Sequence, residues 1–356
     1  MKLIKSIAIA LSIISCLIAS DMRIGALGGN AGFWPEDDQN IMMFPSTINN
    51  FNLAQIQDAS GENPYATFIF GDNIKYGFML DGSRDNLLNL AIGAGSLGAL
   101  IGFDMDSNNE WNYIDGSESW DWVESSPSSM NLNASLGIES SVGELGLGLN
   151  FTTSDNDNGN KDDDAGMLAV SANLRREQSL WVFSHLLLSA NFSSGQIPDT
   201  AYYYTDQTQD VSAISFEASL FRHWNIASET DLLFAAGFGF NSTGLGADSV
   251  KLTETSIILP KYTFAVETNI REWATLRAGI NNSHYLSQSS KQEGNNRELN
   301  SMGTGDTNYS VGLGLEYEGF KLDVDLNPGF FINPMPFITG FNDETLASKA
   351  TITYTW

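Results

Sequence analysis

The sequence predicts an all-β protein: a transmembrane antiparallel up-and-down β-barrel of 16 strands, with 14 as the runner-up, behind a short N-terminal segment that is not wall. Three observations predict it. Hydropathy alternates with a period of two from about residue 52 to Trp356. Many of the alternating runs reach about nine residues or more, close to what a tilted strand needs to cross a bilayer. The connections between them alternate between short and long.

The first element is not wall. In "MKLIKSIAIALSIISCLIAS", Lys2 and Lys5 precede an apolar run from Ile7 and then small residues up to Ser20. This is the layout of a cleaved secretory signal peptide, and the apolar run is short for a membrane anchor. Cleavage is expected after Ser20, with a lipoprotein-type site at Cys16 in "IISC" as the competing reading. Cys16 is the only cysteine, so the mature chain has no thiol or disulfide chemistry. Removal of two lysines and no acid takes the formal net charge from −26 to −28. A chain this acidic excludes nucleic acid as a partner bound through phosphate charge. It can draw cations instead.

Residues 21–51, "DMRIGALGGNAGFWPEDDQNIMMFPSTINNF", show no period. The wall is expected over 52–356. In 263–270, Phe264, Val266 and Ile270 share one face, and Thr263, Glu267 and Asn269 the other. In 273–283, Ala274, Leu276, Ala278 and Ile280 alternate with Thr275, Arg277, Gly279 and Asn281. The same alternation runs through 130–139, 144–151, 167–176, 211–222, 230–243, 309–318 and 319–327, and it closes at Ala350, Ile352, Tyr354 and Trp356.

A soluble sandwich also alternates, with its apolar face inward. Loop lengths separate the two folds. Short connections are expected at Gly95-Ser96, Ser140-Ser141, 177–179, 225–228, Arg271 and Glu318-Gly319. Long ones are expected at 107–129, 154–166, 194–210, 286–306 and 328–347, with 244–253 intermediate. A sandwich has no reason to gather every long loop at one end, whereas an outer-membrane barrel has short periplasmic turns and long outer loops. Thirteen strands follow Leu87 and one lies near 52–58. The stretch "YATFIFGDNIKYGFML" (65–80) adds a hairpin to make 16. On this parity Trp356 ends the last strand at the periplasmic interface, where an amphipathic ring is favoured. A terminal strand closing on an aromatic residue also resembles the signal read by the bacterial barrel-insertion machinery. That machinery and outer-membrane lipid are therefore the expected partners.

Motifs for other chemistry do not hold up. "GAGSLG" (93–98) fits G-x-G-x-x-G but lacks a following helix. Leu87 to Phe103 is apolar enough for a membrane helix, yet its glycines and a two-residue turn at 95–96 favour a hairpin. "DNDNGNKDDD" (155–164) departs from calcium-loop spacing, with Ala165 at the twelfth place; divalent cations remain candidate partners of this loop and the other acidic ones. "DMDSNNEWNYIDGSESWDWVE" (104–124) interleaves seven acids with Trp111, Tyr113, Trp120 and Trp122, either as a recognition surface or as outer-interface rings. His185, His223 and His284 carry no catalytic spacing. No enzyme activity, no cofactor and no metal are expected.

By parity the lumen collects Glu139, Glu144, Arg175, His185, Glu217, Asp231, Glu267, Arg277, Glu316, Lys321, Asp323 and Asp325. Mixed charge over small Gly and Ser positions makes a wettable bore, unless the charges pair with each other or with an inserted segment. In residues 21–51, Arg23, Leu27-Gly28-Gly29, Asp37-Asp38, Asn40 and Phe44-Pro45-Ser46 occur in that order. The stretch resembles the opening of the long-chain fatty-acid transporter superfamily of outer-membrane barrels, which includes the shuttle barrel of type IX secretion. The resemblance implies an inward-folded plug carrying Arg23, Gly28, Gly29, Asp37, Asp38 and Pro45. The apolar loop "NPGFFINPMPFITGF" (327–341) suits capture of apolar solutes or a packed lid. The expected function is passive uptake of small, even hydrophobic, solutes through an outer-membrane channel gated by the plug. The alternative is a non-transporting barrel that presents partner proteins on its acidic aromatic loops.

Overall fold

In the computed structural model one antiparallel sheet closes on itself. The structure describes residues 21–356 except 59–63, 82–86, 108–109, 116–119, 158–164, 199–207, 248–249, 294–296, 306, 333–334 and 336–345. The leader thus lies outside the described residues. So do most of the 155–164 loop and the greater part of 327–341.

The strands are β1 (Leu53–Gln57), β2 (Tyr65–Phe70), β3 (Ile74–Asp81), β4 (Leu88–Ala94), β5 (Leu97–Ser107), β6 (Glu110–Asp115), β7 (Trp120–Ser140), β8 (Gly143–Asp157) and β9 (Ala165–Leu180). They continue with β10 (Phe183–Pro198), β11 (Thr208–Ala227), β12 (Thr230–Ala247), β13 (Val250–Arg271), β14 (Ala274–Glu293), β15 (Arg297–Thr304), β16 (Asn308–Tyr317), β17 (Phe320–Leu326) and β18 (Ala347–Thr355). Sixteen of them form the wall. β5 pairs directly with β7, and β14 with β16. β6 and β15 pair only beside the outer parts of β7 and β14, so they extend loops rather than add to the circumference. The count of 16 therefore stands, with the 65–80 hairpin as wall. The structure differs inside the expected long loops 107–129 and 286–306, where the ladder continues. Chain leaving the membrane still satisfies its backbone groups by pairing as hairpins.

The short turns fall at one end: 71–73, 95–96, 141–142, 181–182, 228–229, 272–273 and 318–319. Several sit a few residues beyond the expected places, because the strands run further before they reverse. At 318–319 both residues have positive φ, 47° at Glu318 and 84° at Gly319. This is the twist that a two-residue hairpin needs. The start of β1 and the end of β18 share that end, through Leu53↔Thr355.

Large apolar side chains stand outward and exposed on neighbouring strands: Phe68, Phe78, Leu90, Ile101, Leu136, Leu149, Phe192, Ile214, Phe264, Leu276 and Ile352. No soluble core explains such a belt; a hydrocarbon surround does. Aromatic rings crowd its short-turn margin. Trp356 packs 5.6 Å from Phe68 and 6.0 Å from Tyr354, and Tyr354 lies 4.6 Å from Phe320.

The barrel is filled at the same end by residues 21–51. A short helix, α1 (Asp21–Ala26), leads through a turn at Gly28 (φ 94°) and Gly29 (φ 80°) into three 3-10 turns at Ala31–Phe33, Asp38–Met42 and Pro45–Asn50. Asn30 caps the first turn and Asp37 the second. Two apolar clusters fix the segment. Ile24, Leu27, Phe33, Trp34 and Phe44 pack on Leu187, Phe221, Leu233, Ala235 and Ala265 of β10–β13. Ile41, Ile48 and Phe51 pack on Leu53, Tyr65, Ile69, Met79, Ala91 and Leu100 of β1–β5.

Candidate functional site: the interface between the inserted segment and the wall

The segment enters because the wall makes room with glycine. A Cβ at Gly98 would overlap the backbone of Pro45 and Ser46, one at Gly137 the backbone of Ser46, and one at Gly146 the carbonyl of Met43. On the far side, a Cβ at Gly279 would lie 2.5 Å from the amide nitrogen of Gly28 and 2.8 Å from the carbonyl carbon of Leu27. Real side chains do not approach backbone so closely. These inward glycines, which in the sequence read as a wettable lining, are filled by chain at this level.

Charge then clamps the segment. Arg23 is buried in α1 and donates to both oxygens of Glu267 on β13, at 3.0 and 2.8 Å, and to Asp37 Oδ2 at 2.8 Å. Glu267 also accepts from Arg277 Nε at 2.7 Å, and Arg277 donates to Asp323 Oδ1 at 2.7 Å. Lys321 Nζ lies 3.9 Å from Asp323. The chain Asp37–Arg23–Glu267–Arg277–Asp323 therefore runs from the segment through three wall strands, with the Asp37 side chain wholly buried. Burial works against the Arg23 charge, but Glu267 and Asp37 outweigh it and hold the guanidinium charged. Burial pushes the Asp37 carboxyl up to about 6, against the pull of Arg23.

A second clamp centres on Arg175 of β9. It binds Glu144 through Nε, donates to Asn40 Oδ1 at 2.9 Å and to the Gly32 carbonyl at 3.2 Å, and stacks 4.7 Å over Phe44. Asn40 is buried completely and donates back to the Trp34 and Asp37 carbonyls. A third is His223 of β11, whose Nε2 is 2.7 Å from the Phe33 carbonyl and whose Nδ1 is 2.9 Å from Asp231. Asp38 accepts from Gln55 Nε2 of β1 at 3.3 Å.

Of the twelve residues predicted for the lumen, the structure brings Glu267, Arg277, Asp323 and Lys321 into the first clamp, Glu144 and Arg175 into the second, and Asp231 into the third. His185 stacks 4.9 Å from Phe221 beneath the segment. Glu217 pairs with Lys261 at 2.7 Å, away from the clamps. Glu316 stands across from Lys321, and Asp325 from Lys349. Glu139 is exposed beside the turn at the mouth. Of the residues assigned to the segment, Arg23, Asp37, Asp38 and Pro45 are buried, and Gly28 packs against Thr263.

Sequence reading missed His223, Lys261 and Gln55 as site residues. Parity places His223 on the inward face of β11, so strand phase alone could have found it. Lys261 follows a break in register between Ile258 and Lys261, where phase is lost.

The closed sheet has an apolar exterior and a charged, filled bore. Outer-membrane β-barrels are built this way. No protein-family model matches the chain, and no curated protein matches it in sequence. Among solved structures, the alcaligin outer-membrane receptor FauA of Bordetella pertussis is similar at 7% identity, over 85% of this chain and 75% of its own, with a TM-score of 0.35. OmpT, an outer-membrane protein of Vibrio cholerae, is similar at 10% identity over 86% and 97%, with a TM-score of 0.29. The toluene transporter TbuX of Ralstonia pickettii is similar at 11% identity over 95% and 98%, with a TM-score of 0.24. The likeness goes no further than architecture.

Proposed function

We propose that the protein is an outer-membrane channel for small solutes, closed on its short-turn side by residues 21–51 acting as a plug. The observation that carries this reading is the Arg23 bridge, which ties the segment to the wall by charge rather than by covalent or wholly apolar contact. Buried ion pairs contribute little net stability against apolar packing of the same volume. They do set one docked position and give it up as a unit, which suits a part that moves. On the tall strands beyond the segment the inward residues include the amides and hydroxyls Asn150, Thr152, Asn191, Ser215 and Asn241, beside the Glu217–Lys261 pair. That lining favours polar solutes over the apolar ones suggested by the 327–341 loop. The order Arg23, Leu27-Gly28-Gly29, Asp37-Asp38 and Phe44-Pro45-Ser46 supports kinship with the long-chain fatty-acid transporter superfamily.

A second reading, a non-transporting barrel that anchors or presents partners, draws on how completely Phe44, Asp37 and Asn40 are buried. Conductance across planar bilayers separates the two. The channel reading expects small conductance from the intact protein and a several-fold larger one after deletion of residues 21–50. A barrel that stays silent in both forms belongs to the second reading.

A further inference from the structure

His223 is set between two acceptors. Its Nδ1 faces Asp231 Oδ2 at 2.9 Å and its Nε2 faces the Phe33 carbonyl at 2.7 Å. A carbonyl only accepts, and so does a carboxylate. Both contacts are hydrogen bonds only while the imidazole holds two protons, or while Asp231 holds one. With one proton fewer, a lone pair faces an acceptor and one of the two bonds is gone. The ring cannot turn away easily: Trp34 packs edge-on at 4.6 Å and Phe221 at 6.1 Å.

Asp38 repeats the logic at the opposite wall. It is 5% exposed; Oδ2 has Gln55 at 3.3 Å, and Oδ1 has no hydrogen-bond partner. A buried carboxylate oxygen without a donor is costly, and a proton on the group relieves it. Burial, with Asp37 and Asp21 nearby, pushes Asp38 well above the usual carboxylate range.

We infer that protons lock the segment in the bore: docking residues 21–44 sets His223 between two acceptors and buries an Asp38 oxygen without a donor, and a proton at these contacts completes them, so acid closes the channel and alkali loosens it. This rests on the reading of residues 21–51 as a gate. The charged groups around His223 are Asp231 on β12, Glu267 on β13, His185 on β10, and Arg23, which lies 5.1 Å over Trp34. Around Asp38 they are Asp37 and Asp21 on the segment and Lys321 on β17. The arginine and lysine oppose proton uptake and the carboxylates favour it. The unmet hydrogen-bonding positions at His223 and Asp38 decide the direction.

The test is open probability in planar bilayers at pH 7.5 and 5.0. For the intact protein it should fall about tenfold or more on acidification, the change expected when docking takes up at least one proton in this range. His223→Gln keeps an amide donor for Phe33, and Asp38→Asn supplies a neutral group; each should shrink the change, and the double variant should keep only the limb near pH 6 that Asp37 contributes, so a double variant with the full change overturns the lock. The form lacking residues 21–50 should conduct equally at both pH values. If that form conducts well while the intact protein is indifferent to pH, or opens in acid, the proton lock is wrong and the gate stands. If deletion does not raise conductance, the gate itself is wrong. Should a variant fail to insert, a spin label at Gly25→Cys reports on the unaltered clamps, because Gly25 is exposed with nothing within 4 Å of a Cβ there. The label should be mobile at pH 7.5 and restrained at pH 5.0; equal mobility overturns the inference.

Discussion

Arg23 and Glu267 meet through two parallel hydrogen bonds, Nε to Oε1 at 3.0 Å and Nη2 to Oε2 at 2.8 Å, across 244 positions of sequence. The fork of the guanidinium matches the carboxylate, so the contact fixes angle as well as distance.

Arg23→Ala leaves Asp37 and Glu267 buried without their shared partner. Removing one member of such a pair costs about 3–5 kcal/mol. The expected outcome is a docked state weakened by about that amount, seen as frequent opening in single-channel records. Arg23→Lys keeps the charge but not the fork and should fall between the two.

Gly279→Val puts methyl groups where the backbone of Leu27 and Gly28 lies, and backbone cannot step aside as a side chain can. The first part of the segment should be expelled while the barrel still folds, raising conductance. Gly303→Val, at a site with nothing within 4 Å, should change nothing. Heat-modifiable gel mobility checks the fold in both.

Leu276→Arg places a charge on the exposed apolar belt, where it should cost about 2–4 kcal/mol of stability in the membrane. Ser189→Arg, on the inward face of β10, should leave stability nearly unchanged and alter ion selectivity. Urea unfolding from lipid vesicles distinguishes them. Equal losses at both sites would mean that the two faces have been assigned wrongly.

The Asp37 carboxyl sits near 6 when docked, against 3.8 as its ordinary value. Between those values the docked segment binds more protons than the free one. Docking therefore strengthens as pH falls through about 6 and levels off below about 4, by up to about a hundredfold in the docking equilibrium. Spin-label mobility at Gly25→Cys followed from pH 7.5 to 3.5 measures the curve. Asp37→Asn should flatten the limb near pH 6.

The wall was legible because its period is strict wherever lipid touches it. Phe264, Leu276 and Tyr317 fall in phase with no exception forced by packing. Turn positions were off by a few residues near Trp181 and Glu272, since strands run past the membrane margin and hydropathy is silent there. The segment's place was legible only by resemblance. Its contacts, such as Arg175 with Asn40 or His223 with Phe33, join residues far apart in sequence and leave no local period. The inward glycines were visible as residues, but a glycine beside water and a glycine beside backbone read alike. The apolar inward positions Leu233 and Ala235 depart from the polar lining on β12, and the segment packs on them.

The seam between β1 and β18 has five residue pairs, from Leu53↔Thr355 to Gln57↔Thr351, and β1 begins directly after the segment. β18 is the most C-terminal strand of the wall, so this joint needs both ends of the sheet before it can form. By then residues 21–51 are already synthesised and tethered to one side of it. The sheet therefore seals at a joint that already carries the segment tethered beside it.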